Sequence, residues 1–135
     1  MRRSWIVPAL ILGCVGCFIG PTTRSFGPAA GPQGIAADLR VRWWQRGGGR
    51  IQGELLEVQD TALVLLSDNR VVFVPIRGIF VGKFSRRGTL IEEGRASRRS
   101  LARLRIVSRF PAGLTPELRA RLLATYGQTA PDGPP

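Results

Sequence analysis

The chain has 135 residues, of which 20 are Lys or Arg and nine are Asp or Glu, and it contains no His and two Cys. A chain of this length forms one small domain, which excludes a multi-domain enzyme. Without His, and with both Cys close to the N-terminus, His-based catalytic triads and Cys/His zinc sites are excluded as well. No acidic pair is placed for acid–base chemistry. We therefore expect a protein that is not an enzyme and binds no cofactor.

The net charge of +11 is unevenly distributed along the chain. Residues 85–110 hold eight basic and two acidic residues, whereas residues 38–84 hold seven basic and five acidic ones. A strong positive charge commonly indicates nucleic acid or an anionic membrane as the partner. Because more than half of the excess lies between residues 85 and 110, the charge indicates a local basic surface.

The N-terminus has the layout of an export signal. Arg2 and Arg3 precede the apolar stretch 5–13, which ends in a small residue directly before Cys14. The whole apolar run, 5–20, has 16 residues and contains a proline. A membrane-spanning helix needs about 20 apolar residues, so a transmembrane anchor is the weaker interpretation.

Residues 10–14, Leu-Ile-Leu-Gly-Cys, resemble the lipobox of bacterial lipoproteins. The resemblance implies that residues 1–13 are a signal peptide and that Cys14 is acylated, for example with palmitate, and holds the exported chain on a membrane. Val15 stands where an Asp would favour the inner membrane, so the outer membrane or the periplasmic face of the envelope is expected. Cys17 is a second, poorer match, and a segment without lipidation is the remaining alternative.

Residues 14–37 follow as a segment rich in Pro and Gly without apolar periodicity, which predicts a flexible tether. Residues 38–84 then contain five short apolar runs, at 39–44, 50–58, 61–66, 70–76 and 79–84. Three consecutive glycines and an Asp-Asn pair separate some of these runs and suit tight turns. The pattern predicts a small, strongly bent, five-stranded antiparallel sheet or barrel, with a bulge or bend at Gly53.

The order and spacing of these strands resemble the Sm-like small β-barrel, on the motifs at residues 53–63 and 71–78. In RNA-binding members of that family, an Asp and an Asn after the second strand and an Arg-Gly pair near the fourth hold bases and phosphates. Asp60 and Arg77 with its following glycine correspond to these positions, but the Asn is missing. The resemblance therefore implies the fold more strongly than RNA binding.

Residues 85–127 predict two helices. In the first, residues 95–109, three apolar residues recur at helical spacing opposite a basic face. This face is a candidate site for an anionic lipid, an envelope polymer or another envelope protein, and a merely solvated surface is the alternative; its residues are Arg98, Arg99, Arg103, Arg105 and Arg109. The second helix begins at Thr115 as N-cap and ends at Gly127. Residues 128–135 have the composition of a disordered tail.

One further group of residues is a candidate site for binding and stacking. Strand alternation places Arg40, Arg42 and Trp44 on the face opposite to the inward-pointing apolar residues. An exposed Trp beside two arginines stacks on bases or other flat ligands, although burial of Trp44 under the helices is the alternative.

The sequence thus predicts a membrane-anchored bacterial lipoprotein that acts as a non-enzymatic interaction or structural module in the cell envelope. The alternative is a cytosolic Sm-like protein that binds RNA. Nucleic acid is the less favoured partner, and assembly with further copies through strand edges is compatible with either interpretation.

Overall fold

The computed structural model describes residues 34–42 and 49–133. Cys14, Trp44 and most of the predicted tether lie outside these residues. Within them the chain forms six strands and then two helices: β1 Ala36–Val41, β2 Gly49–Val58, β3 Ala62–Ser67, β4 Arg70–Pro75, β5 Ile79–Phe84, β6 Gly88–Glu92, α1 Arg98–Val107 and α2 Pro116–Thr125. A short 3-10 turn, Ile76–Gly78, joins β4 to β5.

The strands form one open antiparallel sheet in the order β4-β3-β2-β1-β5-β6. A mainly β fold followed by two helices is confirmed, but the expected count of five strands is wrong. The additional strand, β6, lies within residues 85–127, for which the sequence predicts helices and no strand. It forms because Arg86 and Gly88, with φ of 61° and 74°, reverse the chain and bring Ile91 opposite Gly82, where the Ile91 side chain is fully buried.

The inner face of the sheet and α1 enclose the larger of two apolar clusters. All six strands contribute to it, and Leu101 and Leu104 of α1 pack against it. Leu39 and Val41 point inwards, as the alternation in β1 predicts. Residues 68 and 69 have φ of 49° and 59°, which confirms a tight two-residue turn between β3 and β4.

The second apolar cluster lies on the outer face of β2, β3 and β4. The strand β3 is buried on both faces, because Leu63 and Leu65 join the inner cluster while Val64 and Leu66 join the outer one. The outer cluster is covered by the connector after α1 and by α2, through Phe110, Leu114, Leu118, Leu122, Leu123 and Tyr126. Tyr126 is therefore a packing residue.

A bulge in β2 brings Glu57 to the same outer face. Leu55 pairs with Leu65 and Glu57 pairs with Val64, so Leu56 is an extra residue in β2. The sequence predicts a bulge or bend at Gly53, but the extra residue, Leu56, lies three positions further along β2. Gly53 itself is required by a close approach, because a Cβ atom there would lie 2.2 Å from the carbonyl oxygen of Leu66.

Helix α1, expected over residues 95–109, spans Arg98–Val107, whereas α2 begins directly after the predicted N-cap Thr115. The Ser97 hydroxyl accepts a hydrogen bond from the Ser100 amide at 3.0 Å, and the Thr115 hydroxyl accepts one from the Leu118 amide at 3.2 Å. Gly127 follows α2 with φ of 66°, which confirms the predicted helix end.

The segment after α2 lies against the edge strand β4, although its composition predicts a frayed tail. The Gln128 side chain accepts from the Val71 amide at 2.7 Å and donates to the Val71 carbonyl at 3.1 Å. The Asp132 backbone pairs with Val71 and Phe73, and its carboxylate pairs with Arg70. Residues 128–133 therefore cover the outer edge of β4 and satisfy its backbone groups.

The folded region also begins earlier than expected. The Gly34 amide donates to Glu54 Oε1 at 2.8 Å, and Ile35 bridges the Leu55 amide and the Val107 carbonyl. The end of the predicted tether is thus part of the domain.

Candidate functional site

Helix α1 is fastened to the sheet by two of the five arginines that the sequence assigned to its basic face. Arg105 donates from Nε to the Val58 carbonyl at 3.1 Å and pairs with the Asp60 carboxylate. Arg109, just after the helix, lies 3.4 Å from Glu54 Oε2, and both side chains are about nine-tenths buried. These two arginines hold the helix in place and are not part of the exposed basic surface.

The other three arginines form the exposed face of α1. Arg98, Arg99 and Arg103 are exposed, and no acidic side chain among the described residues pairs with them. Ile106 is 75% exposed and lies seven residues after Arg99 and three after Arg103. At this spacing Ile106, Arg99 and Arg103 share one side of the helix. The helix therefore presents an apolar side chain flanked by unpaired positive charges.

A second basic surface lies on the outer faces of β1, β2 and β5. It is a groove of about 960 Å³ lined by four basic residues and one acidic residue, Arg40, Arg42, Arg50, Lys83 and Asp38, together with Phe80 and small or apolar neighbours. Arg40 and Arg42 are both exposed, on the shared face that the sequence predicts.

Phe80 reaches this groove because of a bulge in β5. Arg40 pairs with Val81 and Val41 pairs with Ile79, so Phe80 is an extra residue relative to β1. Its ring turns outward, is 41% exposed, and lies 4.9 Å from the guanidinium carbon of Arg42. A bulge of this kind cannot be read from strand alternation, so the sequence does not indicate that Phe80 lies on this face.

Asp38 is the acidic residue of the groove, and it is already paired. Its carboxylate accepts from Arg50 Nε at 2.8 Å and from Arg50 Nη2 at 2.6 Å. These hydrogen bonds to Arg50 lower the pKa of Asp38, with further contributions from the charge of Arg50 and the nearby Lys83. Asp38 and Arg50 thus neutralise each other, and the remaining charges of the groove are positive.

The structure also brings together the two positions that the Sm-like resemblance singles out. The Ile76 amide donates to the Thr61 carbonyl at 2.9 Å, so the loop with Asp60 lies beside the 3-10 turn that contains Arg77. Arg77 is exposed, but the Asp60 carboxylate is held by Arg105 of α1.

Three residues of these surfaces were missed by the sequence analysis besides Phe80: Arg50, Lys83 and Ile106. Arg50 lies opposite Arg40 because the observed register pairs Val41 with Gly49. A turn centred on the glycines 47–49 predicts Arg46 opposite Arg50 instead, so the sequence did not indicate this pairing. Ile106 lies outside the buried stripe of Leu101 and Leu104, and the spacing of apolar residues on α1 identifies only that stripe. Cys14 and Trp44 lie outside the described residues, so the structure adds nothing to their assignments.

Comparisons with protein-family models, with curated proteins and with solved structures found no match. Within residues 34–42 and 49–133, no helix has the length and apolar character needed to cross a bilayer. The same residues contain no group of three or more His, Cys, Asp or Glu side chains arranged to hold a metal ion.

Proposed function

We propose that this protein is a membrane-anchored bacterial lipoprotein whose folded domain is a non-enzymatic binding module of the cell envelope. In this proposal Cys14 carries the acyl chains, and helix α1 rests on the anionic lipid surface to which the chain is tethered. The proposed contact of α1 with lipid is supported by the different roles of its arginines: two of them bind the helix to the sheet, and three have no acidic partner among the described residues.

The free side of α1 has the composition of a helix that lies in a membrane interface. Arg99 and Arg103 lie beside Ile106 on the exposed side of α1, and interfacial helices combine apolar side chains that enter the headgroup region with basic ones that contact anionic lipids. Each basic residue near such a surface contributes about 1 kcal/mol. Arg98, Arg99 and Arg103 together would thus add about 3 kcal/mol to the membrane affinity supplied by the lipid anchor.

The finer description of the fold that we propose is an Sm-like barrel. Two observations support it: all six strands contribute to one inner cluster, and three bulges increase the local bending of the sheet. The RNA-binding alternative has less support, because the Asn that accompanies the Asp in RNA-binding members is missing and the Asp60 carboxylate pairs with Arg105.

The anchor is tested by metabolic labelling with an alkynyl fatty acid. We expect the label in the wild-type chain and in Cys17→Ser, and no label in Cys14→Ser. A chain that fractionates with the cytosol, or a label that survives Cys14→Ser, would contradict the proposal.

The lipid contact of α1 is tested separately, with vesicles of phosphatidylglycerol and phosphatidylcholine and a full-length Cys14→Ser chain. Changing Arg98, Arg99 and Arg103 together to Gln should weaken binding at least tenfold at low salt. The matched control removes three other exposed arginines, Arg77, Arg86 and Arg121, and should have a clearly smaller effect. Equal effects of the two triple variants would show that net charge alone governs binding.

A further inference from the structure

The groove on β1, β2 and β5 arranges its free positive charges in a line. Lys83 lies opposite Asp38, Arg40 follows two residues along β1, and Arg42 is the first residue after that strand. Two residues of a strand span about 6.8 Å, so Lys83 and Arg40 mark rows about 7 Å apart, and Arg42 continues the series at the end of β1. A linear array of charges at this spacing matches a ligand that carries its own charges at regular intervals.

Most of the positive charges in the groove lack an acidic partner. Arg40 lies directly opposite Arg50, and like charges at paired positions of neighbouring strands destabilise a sheet. The Asp38 carboxylate neutralises Arg50 through two hydrogen bonds, but no acidic side chain among the described residues pairs with Arg40, Arg42 or Lys83. An anionic ligand would supply the missing negative charge.

Phe80 adds an apolar component to the same groove. Arg42 covers part of its ring, and the remaining 41% exposure leaves room for a second flat partner. The C–H faces of sugar rings pack against aromatic rings in this way, combining apolar contact with charged groups at the ring substituents.

We propose that this groove binds a linear anionic polysaccharide. Acidic groups of successive sugars contact Lys83, Arg40 and Arg42, and one sugar ring packs against Phe80. The choice of a polysaccharide rests in part on the proposed location in the envelope, where such polymers are exposed. The acidic groups are carboxylates or phosphates, and the two sources are separated by experiment.

The test uses the full-length Cys14→Ser chain in mild detergent and four immobilised probes: polygalacturonate, a phosphomannan, neutral dextran and single-stranded oligo(dT). We expect salt-dependent binding to one or both anionic polysaccharides and none to dextran. Preference for polygalacturonate or phosphomannan identifies carboxylate or phosphate as the recognised group. Tighter binding to oligo(dT) than to either polysaccharide would overturn the proposal in favour of a nucleic-acid site.

Two double variants test whether the polysaccharide binds in this groove. Arg40→Gln with Arg42→Gln should weaken polysaccharide binding about tenfold and reduce the slope of log affinity against log salt by about 1 to 2. Arg77→Gln with Arg121→Gln removes the same charge from exposed positions outside the groove and should change the affinity less than twofold. Phe80→Ala should weaken binding without altering the salt slope, because it removes an apolar contact.

Equal losses for the two double variants, or an unchanged affinity in Phe80→Ala, would contradict the assignment. Circular dichroism spectra matching the wild type would show that the variants are folded, and Lys83→Gln, on a separate strand, provides an independent change of the same site. The α1 triple variant should leave polysaccharide binding almost unchanged. Failure of the lipid-binding proposal and failure of this one are therefore distinguishable.

Discussion

The buried pair between Arg109 and Glu54 gives the sharpest prediction about stability. The two side chains are 10% and 9% exposed, and Glu54 also accepts the Gly34 amide at 2.8 Å. Replacing Arg109 by Met keeps much of its volume but leaves a buried carboxylate without its cation. Removing one partner of a buried pair typically costs 3–5 kcal/mol. Since the Arg109–Glu54 contact is long, at 3.4 Å, and Gly34 still donates to Glu54, we expect about 3 kcal/mol.

A double variant separates the effect of the stranded charge from a loss of packing. In Glu54→Gln with Arg109→Met both charges are gone, and the amide oxygen introduced at position 54 can still accept from Gly34. Replacing both partners of an ion pair is often close to neutral, so the double variant should recover most of the loss and lie within about 1.5 kcal/mol of the wild type. Urea unfolding followed by far-ultraviolet circular dichroism measures both free energies.

The neighbouring pair provides the matched control. Glu57 is buried, but its partner Arg119, at 3.5 Å, keeps 40% of its side chain exposed. Glu57 also accepts from the Leu114 amide and from Gln59, so its carboxylate retains partners when Arg119 is removed. Arg119→Met should therefore cost less than about 1 kcal/mol. The reasoning would be refuted if Arg109→Met lost as little stability as Arg119→Met. It would also be refuted if the double variant were as unstable as Arg109→Met alone.

Three further predictions concern the sheet and its edge. Deleting residues 128–135 should speed hydrogen exchange at Val71 and Phe73, because their outward amides lose their acceptors. Thr129→Ala should leave this exchange unchanged, and unchanged exchange in the deletion variant would contradict the edge contact. Gly53→Ala should destabilise the fold by more than about 1 kcal/mol in urea unfolding, because its Cβ meets a backbone oxygen. The pKa of Asp132 is lowered, chiefly by its hydrogen bond to Arg70, so its stabilising effect is present above about pH 4 and is lost on further acidification. Asp132→Asn should flatten that part of a pH-stability profile.

The sequence supported much of the fold because several local signals agreed. Alternation in β1, the Asp68-Asn69 turn and the Thr115 cap each reflect short-range chemistry, and the structure confirms each of them. The features of the fold that the sequence did not predict depend on contacts between distant segments. The strand β6 forms because its pairing with β5 buries Ile91, and residues 128–133 are held by β4, more than 50 positions earlier in the chain.

In the candidate sites, too, the sequence predicted what depends on local spacing and missed what depends on tertiary contacts. Arg40 and Arg42 could be placed on one outward face from the pleat alone, whereas Phe80 joins them only through a bulge. On α1, helical spacing identifies which arginines point away from Leu101 and Leu104. It does not reveal that Arg105 reaches Asp60, since a long side chain at the border of the buried face can turn towards either side.

These ion pairs change where the positive charge of the molecule lies. Counted along the chain, residues 85–110 carry +6 and residues 38–84 carry +2. Arg105 and Arg109 belong to the first segment, but their partners Asp60 and Glu54 belong to the second, so each pair cancels a base of one segment against an acid of the other. When both pairs are removed from the counts, each segment retains +4. Residues 38–84 are therefore as basic as residues 85–110, and a binding assay that tests only α1 would miss the basic groove on β1, β2 and β5.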